Sequence, residues 1–108
     1  MKKFAQQAYQ KNQQSADEDA FKRLIETYDH AIQAGIHRDK EKAGHALALL
    51  DATVNPDPNP ELALSLHGIY HDCAHSLQND NFAAYTESME RLKGLWIAHS
   101  RLREMAKK

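Results

Sequence analysis

The sequence has little of what several functional classes require. It contains one cysteine, Cys73, which excludes an internal disulfide framework and favours a reducing compartment. Its formal net charge is -1, which gives no electrostatic footprint for nucleic acid or for an anionic membrane surface. No apolar run approaches the roughly 20 residues of a membrane helix, and no secretory signal follows Met1. We expect a cytoplasmic protein without membrane insertion or a nucleic-acid partner.

Residues that favour β-strands are also scarce. Val, Ile and Thr together number nine, whereas alanine, the best helix former, numbers 16. Leu, Ile, Val and Phe make up only 20 of the 108 residues, but the small net charge argues against disorder. A chain of this length forms one domain, residues 1–108, with a sparse core.

The first half of the chain predicts an arm and two helices. Residues 1–16 are polar and are predicted to be an N-terminal arm, with Ser15 or Asp17 capping the helix that follows. The sequence leaves open whether residues 17–54 form a hairpin or one continuous helix. The apolar stripes of this half are Phe21, Leu24, Ile25, Tyr28 and Ile32, then Ala43, Leu47, Leu50 and Val54.

The second half has clearer boundaries. Three prolines between residues 56 and 60 end the preceding helix, and Asn59 followed by Pro60 is a strong helix start. The third helix is predicted from Pro60 to Gln78, and the fourth from near Phe82 after an Asn-Asp-Asn turn. The third stripe is Leu62, Leu66, Ile69, Tyr70, Cys73 and Leu77; the fourth is Tyr85, Met89, Leu92 and Trp96, flanked by Leu95 and Leu102. The predicted fold is an all-α, antiparallel up-down four-helix bundle with a short N-terminal arm.

Histidines give the sequence its only hint of metal or signalling chemistry. His67, His71 and His75 recur every fourth residue and share one helix face, as metal-binding pairs do. The residues around His75 resemble part of the histidine phosphotransfer signature, although Gln78 and Asn79 replace its lysine and glycine. A solvated helix face explains the row more simply, so metal sensing by the row and phosphotransfer through His75 are the alternative hypotheses.

No enzyme chemistry is indicated elsewhere. The sequence has no glycine-rich phosphate loop, no recognisable nucleophile turn and no pair of carboxylates in apolar surroundings. Cys73 falls within a core stripe, where a thiol acts as a small apolar group. We therefore predict a protein that is not an enzyme and that has no catalytic residue, no metal site and no cofactor.

Some apolar residues lie away from the predicted stripes. Leu49, Leu64 and Ile97 are on the second, third and fourth helices, each off its own core face. Isolated exposed apolar residues are ordinary, but several on short, alanine-rich helices can line a groove for a partner helix. The arm, with Phe4 and Tyr9, could cover such a groove when it is empty. These residues favour a protein-binding role.

Several short motifs occur in an order that is typical of one known family. They are Ala8-Tyr9-Gln10-Lys11-Asn12, Ser15, Leu24-Ile25, Tyr28-Asp29-His30-Ala31-Ile32, Leu66-His67-Gly68-Ile69-Tyr70, Leu77 and Leu95-Trp96. In this order they resemble the flagellar secretion chaperone FliS, over about residues 8–100. Thr27 and His30 depart from the family pattern, the first hairpin is about a dozen residues shorter, and prolines replace an acidic segment.

The resemblance implies an export chaperone rather than an enzyme. FliS proteins are small helical bundles that bind the C-terminal segment of flagellin in the cytoplasm, prevent its premature polymerisation and deliver it to the flagellar export apparatus. The expected partners are therefore flagellin, or a related secreted filament protein, and that apparatus. A homodimer and the identity of the client stay open. The predicted partner-binding residues are Tyr9, Asn12, Leu24, Ile25, Tyr28, Leu49, Leu64 and Ile97.

Overall fold

A computed structural model describes the backbone of residues 2–56 and 59–106 and the side chains of residues 18–56 and 59–102. The predicted all-α architecture is confirmed in four helices. Residues 17–54 form a hairpin rather than one helix, since a turn at residues 37–39 separates the first two helices. The helices are α1 (Lys2–Ile36), α2 (Lys40–Ala52), α3 (Pro60–Gln78) and α4 (Phe82–Ala106).

Short polar side chains set the starts of three helices. The Asp39 carboxylate accepts a hydrogen bond from the Lys42 amide at 3.1 Å, and the Asn59 side chain accepts one from the Leu62 amide at 3.1 Å. Asn81 does the same for Ala84 at 3.2 Å. Each bond satisfies an amide that has no partner inside its helix. The predicted cap at Asn59 and the Pro60–Gln78 boundaries are confirmed.

The N-terminal segment differs from the prediction. The backbone is helical from Lys2 through Ser15 and Asp17, so the expected break between an arm and a capped helix is wrong. Residues 2–16 contain no proline or glycine and are rich in alanine, glutamine and lysine. These residue types favour helix strongly enough to continue α1 where the apolar pattern stops.

The helices pack in a ring. α1 contacts α2 and α4, and α3 contacts the same two helices, as in an antiparallel up-down bundle. The two short turns, residues 37–39 and 79–81, lie together at what we call the loop end. Residues 53–59 link α2 to α3 at the opposite, connector end. No helix within the described residues is long and apolar enough to cross a membrane.

Tyrosines and alanines share the core with leucines. Tyr28, Tyr85 and Met89 are fully buried, and Cys73 is buried as predicted. Leu62 and Ile69 were expected in the α3 core stripe but are 47% and 36% exposed. The buried face of α3 is narrower than predicted, and both side chains lie at its edge. Small core residues that the stripes omitted, Ala31, Ala34, Ala46 and Ala63, are buried instead.

Candidate partner-binding surface

Four large apolar side chains are exposed on the α3–α4 side of the bundle. On α3, Leu62 and Ile69 are 47% and 36% exposed. On α4, Leu95 and Leu102 are 61% and 64% exposed. We call these four residues the α3–α4 stripe. Within each helix the two residues are seven positions apart, so they lie on one face about two turns apart.

Contacts on the other flanks of these helices show which way the stripe faces. His67 of α3 reaches Asp51 of α2, and Lys93 of α4 forms an ion pair with Asp29 of α1 at 2.5 Å. At 100° per residue, Leu62 and Ile69 lie on the α3 flank away from α2, and Leu95 lies on the α4 flank away from α1. The two flanks therefore border the same seam.

Two polar side chains, one from α3 and one from α4, meet deeper in this seam. Ser88 of α4 hydrogen-bonds with the thiol of Cys73 on α3. Burial raises the pKa of that thiol, and the bond to Ser88 opposes the rise less strongly. Because the thiolate is the reactive form of cysteine, a buried thiol with a raised pKa is a poor nucleophile. Cys73 acts here as a packing residue.

Three aromatic side chains from three helices form a buried hydrogen-bonded group. The hydroxyls of Tyr28 on α1 and Tyr70 on α3 are 2.6 Å apart, and Trp96 Nε1 of α4 donates to Tyr28 Oη at 3.0 Å. Burial raises the pKa of both phenols, so both are neutral at physiological pH. We call these residues the aromatic triad. It joins diagonal helices across the centre of the bundle.

A cavity of about 270 Å³ lies beside the triad at the connector end, and we call it the end cavity. Its deeper wall consists of buried Leu50, Ala63, Leu66 and Tyr70. Exposed residues of the connector and of the first turn of α3 form its mouth, and half-buried residues lie between. The mouth is Thr53, Asn55, Asn59 and Leu62; the intermediate residues are Leu24, Val54 and Trp96.

The predicted partner-binding residues do not form one groove. Leu24 and Leu49 line the same depression between α1 and α2. Leu64 is 74% exposed on the outer face of α3, and Ile97 is half-buried one turn beyond Lys93, towards α1. Ile25 is half-buried and Tyr28 is a core residue of the triad. The remaining two, Tyr9 and Asn12, lie outside the residues whose side chains are described.

The histidine row divides into different environments. His67 Nδ1 lies 2.5 Å from Asp51 Oδ1, and His71 lines the same α2–α3 groove. His75 is exposed, but α3 ends three residues later at Gln78, where the phosphotransfer family continues its helix. Across residues 18–56 and 59–102, no group of three or more His, Cys, Asp or Glu side chains is placed to hold a metal ion.

The α3–α4 stripe was not predicted from the sequence, because two of its four residues were expected in the core. Leu62 and Ile69 lie within about 20° of each other at the edge of the α3 apolar arc, and Leu95 and Leu102 were noted only as flanking. Equal edge positions on two consecutive antiparallel helices are the signal that could have identified it. No family model, curated protein or solved structure matches the chain.

Proposed function

We propose that this protein is a cytoplasmic export chaperone that binds an amphipathic segment of a secreted filament protein on the α3–α4 stripe. The exposed stripe is the observation that supports this proposal. The short motifs that resemble FliS name the client class, the C-terminal segment of flagellin or of a related filament protein, and the flagellar export apparatus as the receiver. The protein acts by covering its client and catalyses no reaction.

The stripe has the spacing that a bound helix requires. Helical partners insert apolar side chains at intervals of three, four and seven residues into a groove between two helices. Leu95 and Leu102 repeat at seven residues on one side of the seam, and Leu62 and Ile69 repeat at seven on the other. Burying the exposed part of each side chain contributes about 1 kcal/mol, before the cost of ordering the client is subtracted.

Aspartate substitutions on two faces of the bundle test the proposal. A labelled peptide of the flagellin C-terminal segment is titrated with the full chain and with Leu95→Asp. The charged residue places an unpaired carboxylate in the interface, so we expect affinity to fall at least tenfold. Leu64→Asp is the matched control, since it makes the same change at a more exposed site on the outer face of α3.

Other docking surfaces would lose client binding with a different set of aspartate variants. Equal losses for Leu95→Asp and Leu64→Asp, or no binding by the wild-type chain, contradict the proposal. Loss with Ile25→Asp or Leu49→Asp alone assigns the client to α1 and α2. A concentration-dependent dimer that Leu95→Asp dissociates shows that a second copy of the chain covers the stripe. Circular dichroism at each step establishes that every variant is folded.

A further inference from the structure

The aromatic triad has three hydrogen atoms to donate but only two hydrogen bonds among its members. Tyr28 and Tyr70 each carry one hydroxyl hydrogen, and Trp96 carries one indole hydrogen. Two hydrogen bonds link the three groups, Trp96 to Tyr28 and Tyr28 with Tyr70. Every buried side-chain nitrogen and oxygen among the described residues has a partner atom. The two bonds use two of the three hydrogens, so the third has no acceptor within the triad.

The two possible directions of the Tyr28–Tyr70 bond leave different hydrogens without an acceptor. If Tyr70 donates to Tyr28, the hydrogen without an acceptor belongs to Tyr28, whose side chain is fully buried, and this costs about 1–3 kcal/mol. If Tyr28 donates to Tyr70, the remaining hydrogen belongs to Tyr70, which borders the end cavity. Only the second arrangement presents the free hydrogen at the cavity wall, where a bound molecule can accept it, so binding of an acceptor in the cavity favours this arrangement. The donor chain then runs from Trp96 through Tyr28 to Tyr70.

The size and lining of the end cavity define what it can accept. Its volume of about 270 Å³ is below the range of most cofactor pockets, whereas apolar cavities of about 150 Å³ in proteins bind benzene. The deep wall is formed by Leu50, Ala63 and Leu66, so it offers no charge. At the mouth, Asn59 Oδ1 already accepts the hydrogen bond that caps α3.

We infer that the end cavity binds one uncharged apolar group, the size of a phenyl ring with a short substituent, that offers a hydrogen-bond acceptor to Tyr70 Oη. Leu62 belongs both to the mouth of this cavity and to the α3–α4 stripe, so one client can occupy both. Methionine is the large apolar side chain that carries an acceptor, its thioether sulfur. That a client methionine fills the cavity rests on the proposed function; binding by the cavity itself does not.

Two probes of nearly equal shape test the cavity without any client. Acetophenone carries a carbonyl oxygen, and α-methylstyrene replaces that oxygen with a CH₂ group. Trp96 is the only tryptophan, so one indole N–H signal in a ¹⁵N–¹H correlation spectrum reports occupancy beside the triad. We expect saturable shifts of this signal with both probes. Tyr70→Phe should weaken acetophenone about fivefold relative to α-methylstyrene, the effect of one hydrogen bond.

Two control variants separate cavity binding from general loosening of the core. Tyr85→Phe removes another buried hydroxyl, one that donates to the Ala43 carbonyl, and should leave the ratio of the two probe affinities unchanged. Ala63→Leu fills the cavity and should abolish binding of both probes, whereas Ala48→Leu, on the exposed side of α2, should not. If Ala63→Leu does not fold, Ala63→Val makes a smaller version of the same change.

Defined results overturn the inference. They are the absence of a saturable shift with either probe, equal weakening of both probes by Tyr70→Phe, or unchanged binding after the cavity is filled in a folded variant. Leu95→Asp keeps the end cavity intact and should bind both probes as the wild type does. If the wild-type chain binds the probes but not the client peptide, the proposal for the stripe fails and the inference for the cavity stands. If it binds the client peptide but neither probe, the inference for the cavity fails and the proposal for the stripe stands.

Discussion

The two ends of the bundle are built differently. At the loop end, Lys40 at the start of α2 forms an ion pair at 2.9 Å with Asp80 of the turn at residues 79–81, and Arg38 lies 5.4 Å from the ring centre of Phe82. At the connector end, a longer, proline-containing link leaves the end cavity, with Leu62 of the stripe at its mouth. The contacts at the loop end hold the helices together there, so the other end can leave a cavity open without losing the helix arrangement.

The largest change in stability is expected at Gly35, which lies at the loop end. A Cβ atom at this position would overlap Thr86 Oγ1 and lie 3.0 Å from Cδ1 of the buried Tyr85 ring. We expect Gly35→Ala to lower the free energy of unfolding by about 1–3 kcal/mol, because the Thr86 side chain must rotate away and the buried Tyr85 ring must shift. Urea denaturation measures the change.

A second glycine supplies the matched control for this substitution. Gly44 lies inside α2, where an added Cβ meets nothing within 4 Å. Gly44→Ala should raise the free energy of unfolding by about 0.5–1 kcal/mol, since alanine loses less backbone entropy in a helix. Equal effects from the two glycines would show that α1 and α4 are not tightly held at the loop end.

The free energy of unfolding at alkaline pH reports on the buried tyrosines at the two ends of the bundle. Burial raises the pKa of Tyr28, Tyr70 and Tyr85 above the ordinary value of 10.0. Below that value both folded and unfolded chains hold these protons. Above it the unfolded chain releases them first, so stability falls as pH rises from about 10. Each tyrosine that keeps its proton contributes about 1.4 kcal/mol per pH unit to this fall.

Single phenylalanine variants show how much each tyrosine contributes to this fall of unfolding free energy with pH. Tyr70→Phe, beside the end cavity, and Tyr85→Phe, near the loop end, should each reduce the slope by about 1.4 kcal/mol per pH unit. Urea unfolding at pH values between 9 and 12 measures it. A smaller reduction for Tyr70→Phe would show that solvent reaches Tyr70 through the cavity. An unchanged slope in both variants would contradict the burial of the phenols.

The smallest expected effect is at Arg38. Its φ of 56° lies in the left-handed region, where glycine is unstrained. Arg38→Gly relieves that strain but loses the contact with Phe82, and the two effects of about 0.5–1 kcal/mol oppose each other. We expect a change in unfolding free energy below about 0.5 kcal/mol. Arg38→Ala keeps the strain and loses the contact, so it should be more destabilising than Arg38→Gly.

Local signals predicted much of the fold. The Asn59–Pro60 start, the Gln78 end and the burial of Cys73 follow from rules that act within a few residues. The helical continuation of α1 through residues 2–16 was missed because the apolar stripe was weighted above helix propensity, which nothing in those residues opposes. Leu62 was wrongly predicted to be buried, because a helical wheel shows which residues share the apolar face but not how much of that face the neighbouring helices cover.

Features built from several helices could not be predicted from the sequence. Tyr28 and Tyr70 are 42 positions apart, and Tyr28 and Trp96 are 68 apart. Each was expected on the apolar face of its own helix, but their hydrogen bonds depend on how far the helices slide past one another. The end cavity depends on the same packing.

The ring of helices also has a consequence for folding. Three of its four interfaces join helices that are neighbours in sequence and close with short loops. The α1–α4 interface joins the two ends of the chain, so its formation carries the greatest loss of chain entropy. The bond from Trp96 to Tyr28 crosses this interface. We therefore expect the α1–α4 interface to form last. Because this interface contains the only tryptophan, Trp96 fluorescence should report the step that closes the bundle.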